Sequence, residues 1–73
     1  MKQIYVIEMA FEHISAKEKL NWSATFAVKT LQSAKYEVFI SRKEEEAERE
    51  KRRKKYGNVL YYTYYRYRPI NLF

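Results

Sequence analysis

The sequence predicts a small α+β domain: an antiparallel sheet in the chain order β-β-β-α-β, with one highly charged helix at about residues 42–56. Three observations carry this expectation. The first segment is rich in β-formers and apolar on both faces, the last segment alternates tyrosines with other β-formers, and between them lies a run of acidic then basic residues with almost nothing apolar. At 73 residues the chain is expected to be a single domain, 1–73, near the lower size limit for a self-sufficient core.

Gln3–Phe11 is the first strand. Ile4 and Val6 fall on one face and Tyr5, Ile7, Met9 and Phe11 on the other, the pattern of a strand covered on both sides. Residues 16–34 have two readings. Ser15 and Glu18 form a capping-box pattern that would open a helix over 16–34 and give β-α-β-α-β. The competing reading is a strand, because Leu20, Trp22, Ala24, Phe26, Val28 and Thr30 alternate with more polar neighbours. Trp, Phe and β-branched residues favour the strand. Leu31–Ala34 would then turn, and Tyr36, Val38 and Ile40 would form a third strand.

The charged segment reads as a helix. Ser41 and Glu44 form a second capping box, Glu44–Glu46 load its first turn and Lys51–Lys55 its last, as the helix dipole prefers. Glu45–Arg49 and Glu48–Arg52 are i,i+4 pairs in the favourable order. Gly57, the only glycine, stands where a left-handed residue ends a helix. Ala47 is the only apolar residue between Arg42 and Lys55, so this helix is expected to project or to meet a charged partner. A last strand runs from Asn58 to Arg68, stopped by Pro69. Its even face, with Tyr62, Tyr64, Arg66 and Arg68, is the more polar and is placed outward.

Composition narrows the function. There is no cysteine, one histidine and no aspartate, which excludes disulfides and thiolate metal sites and leaves no cofactor or metal expected. No apolar run approaches the length of a membrane span, and the chain reads as cytoplasmic with no membrane partner. One glycine allows no phosphate-cradling loop. Glu8, Glu12 and His13 are the one acid/base cluster, better read as a solvated strand end than as a catalytic site. No enzymatic activity is expected.

Net charge is +6 and the excess lies in the second half. Residues 42–55 carry eight basic side chains against five glutamates, and Arg66 and Arg68 follow with no acid. Two features could bind an anion: the run Lys51, Arg52, Arg53, Lys54, Lys55, which could neutralise phosphates, and the face Tyr62, Tyr64, Arg66, Arg68, where bases could stack beside guanidinium groups. The expected function is therefore binding of DNA or RNA with little sequence readout. The alternative is a protein–protein interaction module, because Tyr and Arg also anchor interfaces. That module could be a homodimeric adaptor or an inhibitor docking on an acidic protein surface. A core this small gains from homo-oligomerisation. In composition the chain is similar to the small accessory proteins that phages and viruses encode, with no motif behind the likeness.

Overall fold

The computed structural model describes residues 2–15 and 19–72. It is a three-stranded antiparallel sheet with one long helix, in the chain order β1 (Lys2–His13), β2 (Ser23–Val28), α1 (Leu31–Tyr56) and β3 (Tyr61–Leu72). The small α+β architecture and the antiparallel sheet are those the sequence implies. The strand order across the sheet is β2-β1-β3, which puts the segment apolar on both faces at the centre.

The sheet lacks the expected third strand. Tyr36, Val38 and Ile40 lie inside α1, and Leu31–Ala34 is its first turn rather than a loop. The cap is Thr30, extended at φ −124°, whose Oγ1 accepts from the Ser33 amide at 3.1 Å. Ser41 is therefore an interior residue, and Glu44–Glu46 lie mid-helix; the first turn holds no acid. The cause is cooperative. Once the charged segment is helical, each residue added upstream gains a backbone bond without a new nucleus. Ala34 and Val38, four apart, then face the sheet together, whereas three alternating residues are a short signal for a strand. A helix over 16–34 is likewise overturned where it can be judged, since 23–28 is strand; residues 16–18, and with them the Ser15–Glu18 capping box, lie outside the described residues.

The core sits where α1 crosses the central strand. Ile7 is 1% exposed and packs with Ala34 and Val38, flanked by Tyr5, Val28, Tyr65 and Tyr67. Burying an isoleucine of this kind stabilises by about 1.5–3 kcal/mol. Gly57, at φ 74°, ends the helix as expected.

Beyond Val38 the inner row of α1 changes from apolar to ionic. Arg42, Glu45 and Arg52 continue that row and reach the backbone of β3 along its outer edge. Arg42 Nη2 donates to the Tyr65 carbonyl at 3.0 Å, Glu45 Oε1 accepts from the Thr63 amide at 3.4 Å, and Arg52 Nη2 donates to the Tyr61 carbonyl at 3.3 Å. Glu45 and Arg52 are also paired with each other at 3.1 Å. The charged half of α1 thus covers the Tyr61–Tyr65 stretch of a sheet edge, supplying the partners that a neighbouring strand would give.

These bonds show that odd-numbered residues of β3 turn their backbone outward. Pro69 shares that parity and pairs with Tyr5, so its missing N–H falls on the free side of an edge strand, where proline is tolerated. This is why β3 runs through Pro69 to Leu72 instead of stopping there.

Candidate nucleic-acid interface

The alternation of β3 separates two surfaces. Thr63, Tyr65 and Tyr67 turn toward α1 and the core, while Tyr62, Tyr64, Arg66 and Arg68 share the other face with the even residues of β1. The register sets Val6 beside Arg68, Glu8 beside Arg66, Ala10 beside Tyr64 and Glu12 beside Tyr62. Among the described residues the one helix packs its apolar positions on the Ile7 side of the sheet, away from this second face. It is the open side of the sheet, as expected for the even positions.

At its centre lies Glu8, 6% exposed, between two guanidinium groups. Arg66 Nε donates to Oε1 at 2.9 Å and Arg68 Nε to Oε2 at 3.4 Å. Burial pushes the Glu8 carboxyl up, but the two arginines outweigh it and hold the group below its ordinary value. Both arginines engage Glu8 through Nε alone, and their terminal Nη groups make no hydrogen bond among the described residues. Trp22 lies 4.0 Å from the Arg66 guanidinium, measured to the ring centroid. Since β2 and β3 flank β1 on opposite sides, this contact spans the central strand.

Toward the other end, Tyr64 donates its hydroxyl to Glu12 Oε1 at 2.9 Å. That bond to a carboxylate, with partial burial, raises the tyrosine pKa and keeps it protonated. The Tyr62 and Tyr64 rings stack, with centroids 6.4 Å apart and planes 27° from parallel, and the Arg49 guanidinium sits 5.4 Å from the Tyr62 ring. The open face thus carries a row of two tyrosines and two arginines along β3, tied to Glu12 and Glu8 of β1. From Tyr62 to Arg68 it spans about 20 Å at the usual rise per strand residue.

The basic run divides in two. Arg52 is committed to the fold, clamped between Glu45, the Tyr61 carbonyl and the Tyr61 ring at 4.1 Å. Lys51 pairs with Glu48 at 3.5 Å and Arg53 with Glu50, both exposed. Lys54 and Lys55 make no salt bridge among the described residues. Because Arg52 bonds to Tyr61, this basic helix end lies beside the Tyr62 end of the strip. The two features chosen from the sequence are therefore brought together.

Trp22, Arg49 and the bridging role of Glu8 were not chosen from the sequence. One acid of β1, Glu8, meets both arginines of β3, while Glu12 lies opposite Tyr62 and takes the Tyr64 hydroxyl. The other acid/base candidates are dispersed: His13 Nδ1 lies 2.8 Å from Ser15 Oγ, and Glu12 serves Tyr64. Among the described residues no group of three metal-ligating side chains occurs, and no helix is long and apolar enough to cross a membrane. No family model, curated protein or solved structure matches this chain.

Proposed function

We propose that the protein is a non-catalytic nucleic-acid-binding protein with little sequence readout. The observation that carries this reading is the strip Tyr62–Tyr64–Arg66–Arg68 on the open sheet face, with Lys54 and Lys55 at one end. Flat rings offer stacking surfaces to any base, and the cations draw in the phosphate backbone. A cytoplasmic location belongs to the same proposal. The test is fluorescence anisotropy with labelled oligonucleotides at low and moderate salt. Micromolar or tighter binding that weakens steeply with salt is expected; absent or salt-insensitive binding refutes the reading.

A second reading, a protein-interaction module that is homodimeric or inhibits a larger protein, is favoured by a separate observation. Helix α1 bonds to the outer edge of β3 at Tyr61, Thr63 and Tyr65, whereas among the described residues no strand pairs with the outer edge of β2, and Ser23–Val28 contains no charged residue and no proline. Edges of that kind invite pairing with another strand. Light scattering across a concentration series tests it: a dimer that Ala24→Lys and Ala27→Lys convert to monomer supports the module, and a monomer throughout removes the homodimeric form.

A further inference from the structure

Between α1 and β3, beside the open face, runs a groove of about 500 Å³, within the range of small-ligand sites. Its walls are Tyr64 and Arg66 on the strand side and Glu46 and Arg49 on the helix side, with Leu20 and Trp22 also lining it. Trp22 is held as a platform, because Arg66 lies against its ring and is itself anchored on Glu8. Arg66 lines the groove and Arg68 shares its Glu8 anchor, and among the described residues the terminal nitrogens of both make no hydrogen bond. Each guanidinium has five N–H donors and gives one to Glu8, so the pair is preset for phosphate oxygens.

Given that the open face binds nucleic acid, the geometry points to this groove as a subsite for one unstacked base of a single strand. The base packs against Trp22 and Tyr64, and the neighbouring phosphates engage Arg66 and Arg68. The charge suits this occupant, since three arginines (Arg42, Arg49 and Arg66) line the groove against two acids (Glu45 and Glu46). A base inside a duplex is excluded, because entering a recess between helix and sheet requires it to leave its stack and its partner. The protein therefore prefers single strands.

Trp22 is the only tryptophan, so its emission reports on the groove without a label. The experiment titrates the full chain with a mixed-sequence single-stranded oligonucleotide of about 12 nucleotides, and separately with the matching duplex. Intrinsic fluorescence and the anisotropy of labelled oligonucleotide are followed in parallel. The expected result is a saturable change in Trp22 emission with the anisotropy midpoint, and tighter binding of the single strand. Trp22→Leu should weaken single-strand binding by about 5- to 150-fold, the range for losing one base–aromatic stack, and Trp22→Phe should restore most of it. Anisotropy-detected binding with unchanged Trp22 emission, or equal affinity for the duplex, overturns the groove proposal and leaves the interface standing. Absence of any binding at low salt overturns both. The emission measurement on the wild-type chain keeps the test decisive if Trp22→Leu misfolds.

Discussion

Replacing Glu45 by alanine tests whether the charged half of α1 is a structural latch. Glu45 is 9% exposed, and its Oε1 accepts from both Arg52 Nη2 at 3.1 Å and the Thr63 amide at 3.4 Å. The alanine variant loses both bonds and leaves Arg52, whose side chain is 15% exposed and whose Nε is already without a partner, as a poorly compensated cation. Breaking a buried pair from one side costs about 3–5 kcal/mol. Arg52 keeps the Tyr61 carbonyl and ring, and the Thr63 bond is long, so the lower end, about 3 kcal/mol, applies. For a domain of this size that lowers Tm by roughly 12–24 °C. Glu45→Gln keeps an acceptor at the same place and loses only the charge, so its cost should be about half as large. Glu45→Leu with Arg52→Met removes both charges and should recover much of the loss. Thermal melts followed by circular dichroism at neutral pH supply the numbers. A shift of less than about 3 °C in Glu45→Ala, below 1 kcal/mol, would refute the latch and leave the helix as a loosely attached arm.

Further outcomes follow from the same contacts. Ile7→Ala removes the one large, fully buried side chain among the described residues and costs about 2–5 kcal/mol; a chain of this length has about 4–11 kcal/mol in total, so the variant should show a broad, early melt, and a wild-type Tm would contradict the core assignment. Because the folded Glu8 pKa lies below the ordinary 4.5, its contribution is complete above that pH and is lost as pH falls through the lower folded value. The wild type should therefore destabilise below about pH 4.5 more steeply than Glu8→Gln, and identical acid profiles would reject the Arg66–Glu8–Arg68 bridge. Lys54→Ala with Lys55→Ala should leave Tm unchanged and reduce the salt slope of binding by about 0.7 per lost phosphate contact. Arg52→Ala should instead lower Tm, and the opposite assignment of effects would reverse the division of the basic run.

The fold class was legible because the strongest patterns were long. Gln3–Phe11 is a long β-forming run apolar on both faces, which suits the central position it takes within Lys2–His13, and Asn58–Arg68 alternates over most of what becomes Tyr61–Leu72. The start of α1 was not legible. Residues 31–41 contain Leu31, Tyr36, Val38, Phe39 and Ile40, which suit a strand as well as a helix, and the apolar positions used inside the fold are only Ala34 and Val38. Whether that stretch is helical is decided by where Ile7 waits for it, a tertiary fact. Pro69 misled for a related reason. Its effect depends on which side of β3 faces the central strand, and that parity is set by pairing.

The site shows the same division between pattern and contact. The outward placement of Tyr62, Tyr64, Arg66 and Arg68 came from polarity alone, and the structure sets them on the open face. What polarity could not supply was which cations are already spent. Lys51–Lys55 reads as one uniform basic patch, yet Arg52 is part of the architecture while Lys54 and Lys55 have no ion pair among the described residues. The distinction follows from helical spacing. Arg52 lies seven residues beyond Glu45, two turns along the same side, and that side turns to the β3 edge, whereas its four neighbours in the run point elsewhere. A basic run on a helix thus contains at most one or two residues facing a neighbouring element, and the period identifies them once a single contact is known. Here the known contact is Ala34 and Val38 on Ile7. Extending that row in steps of three and four reaches Arg42, Glu45, Arg49 and Arg52, all of which engage β3 by a hydrogen bond or a ring contact.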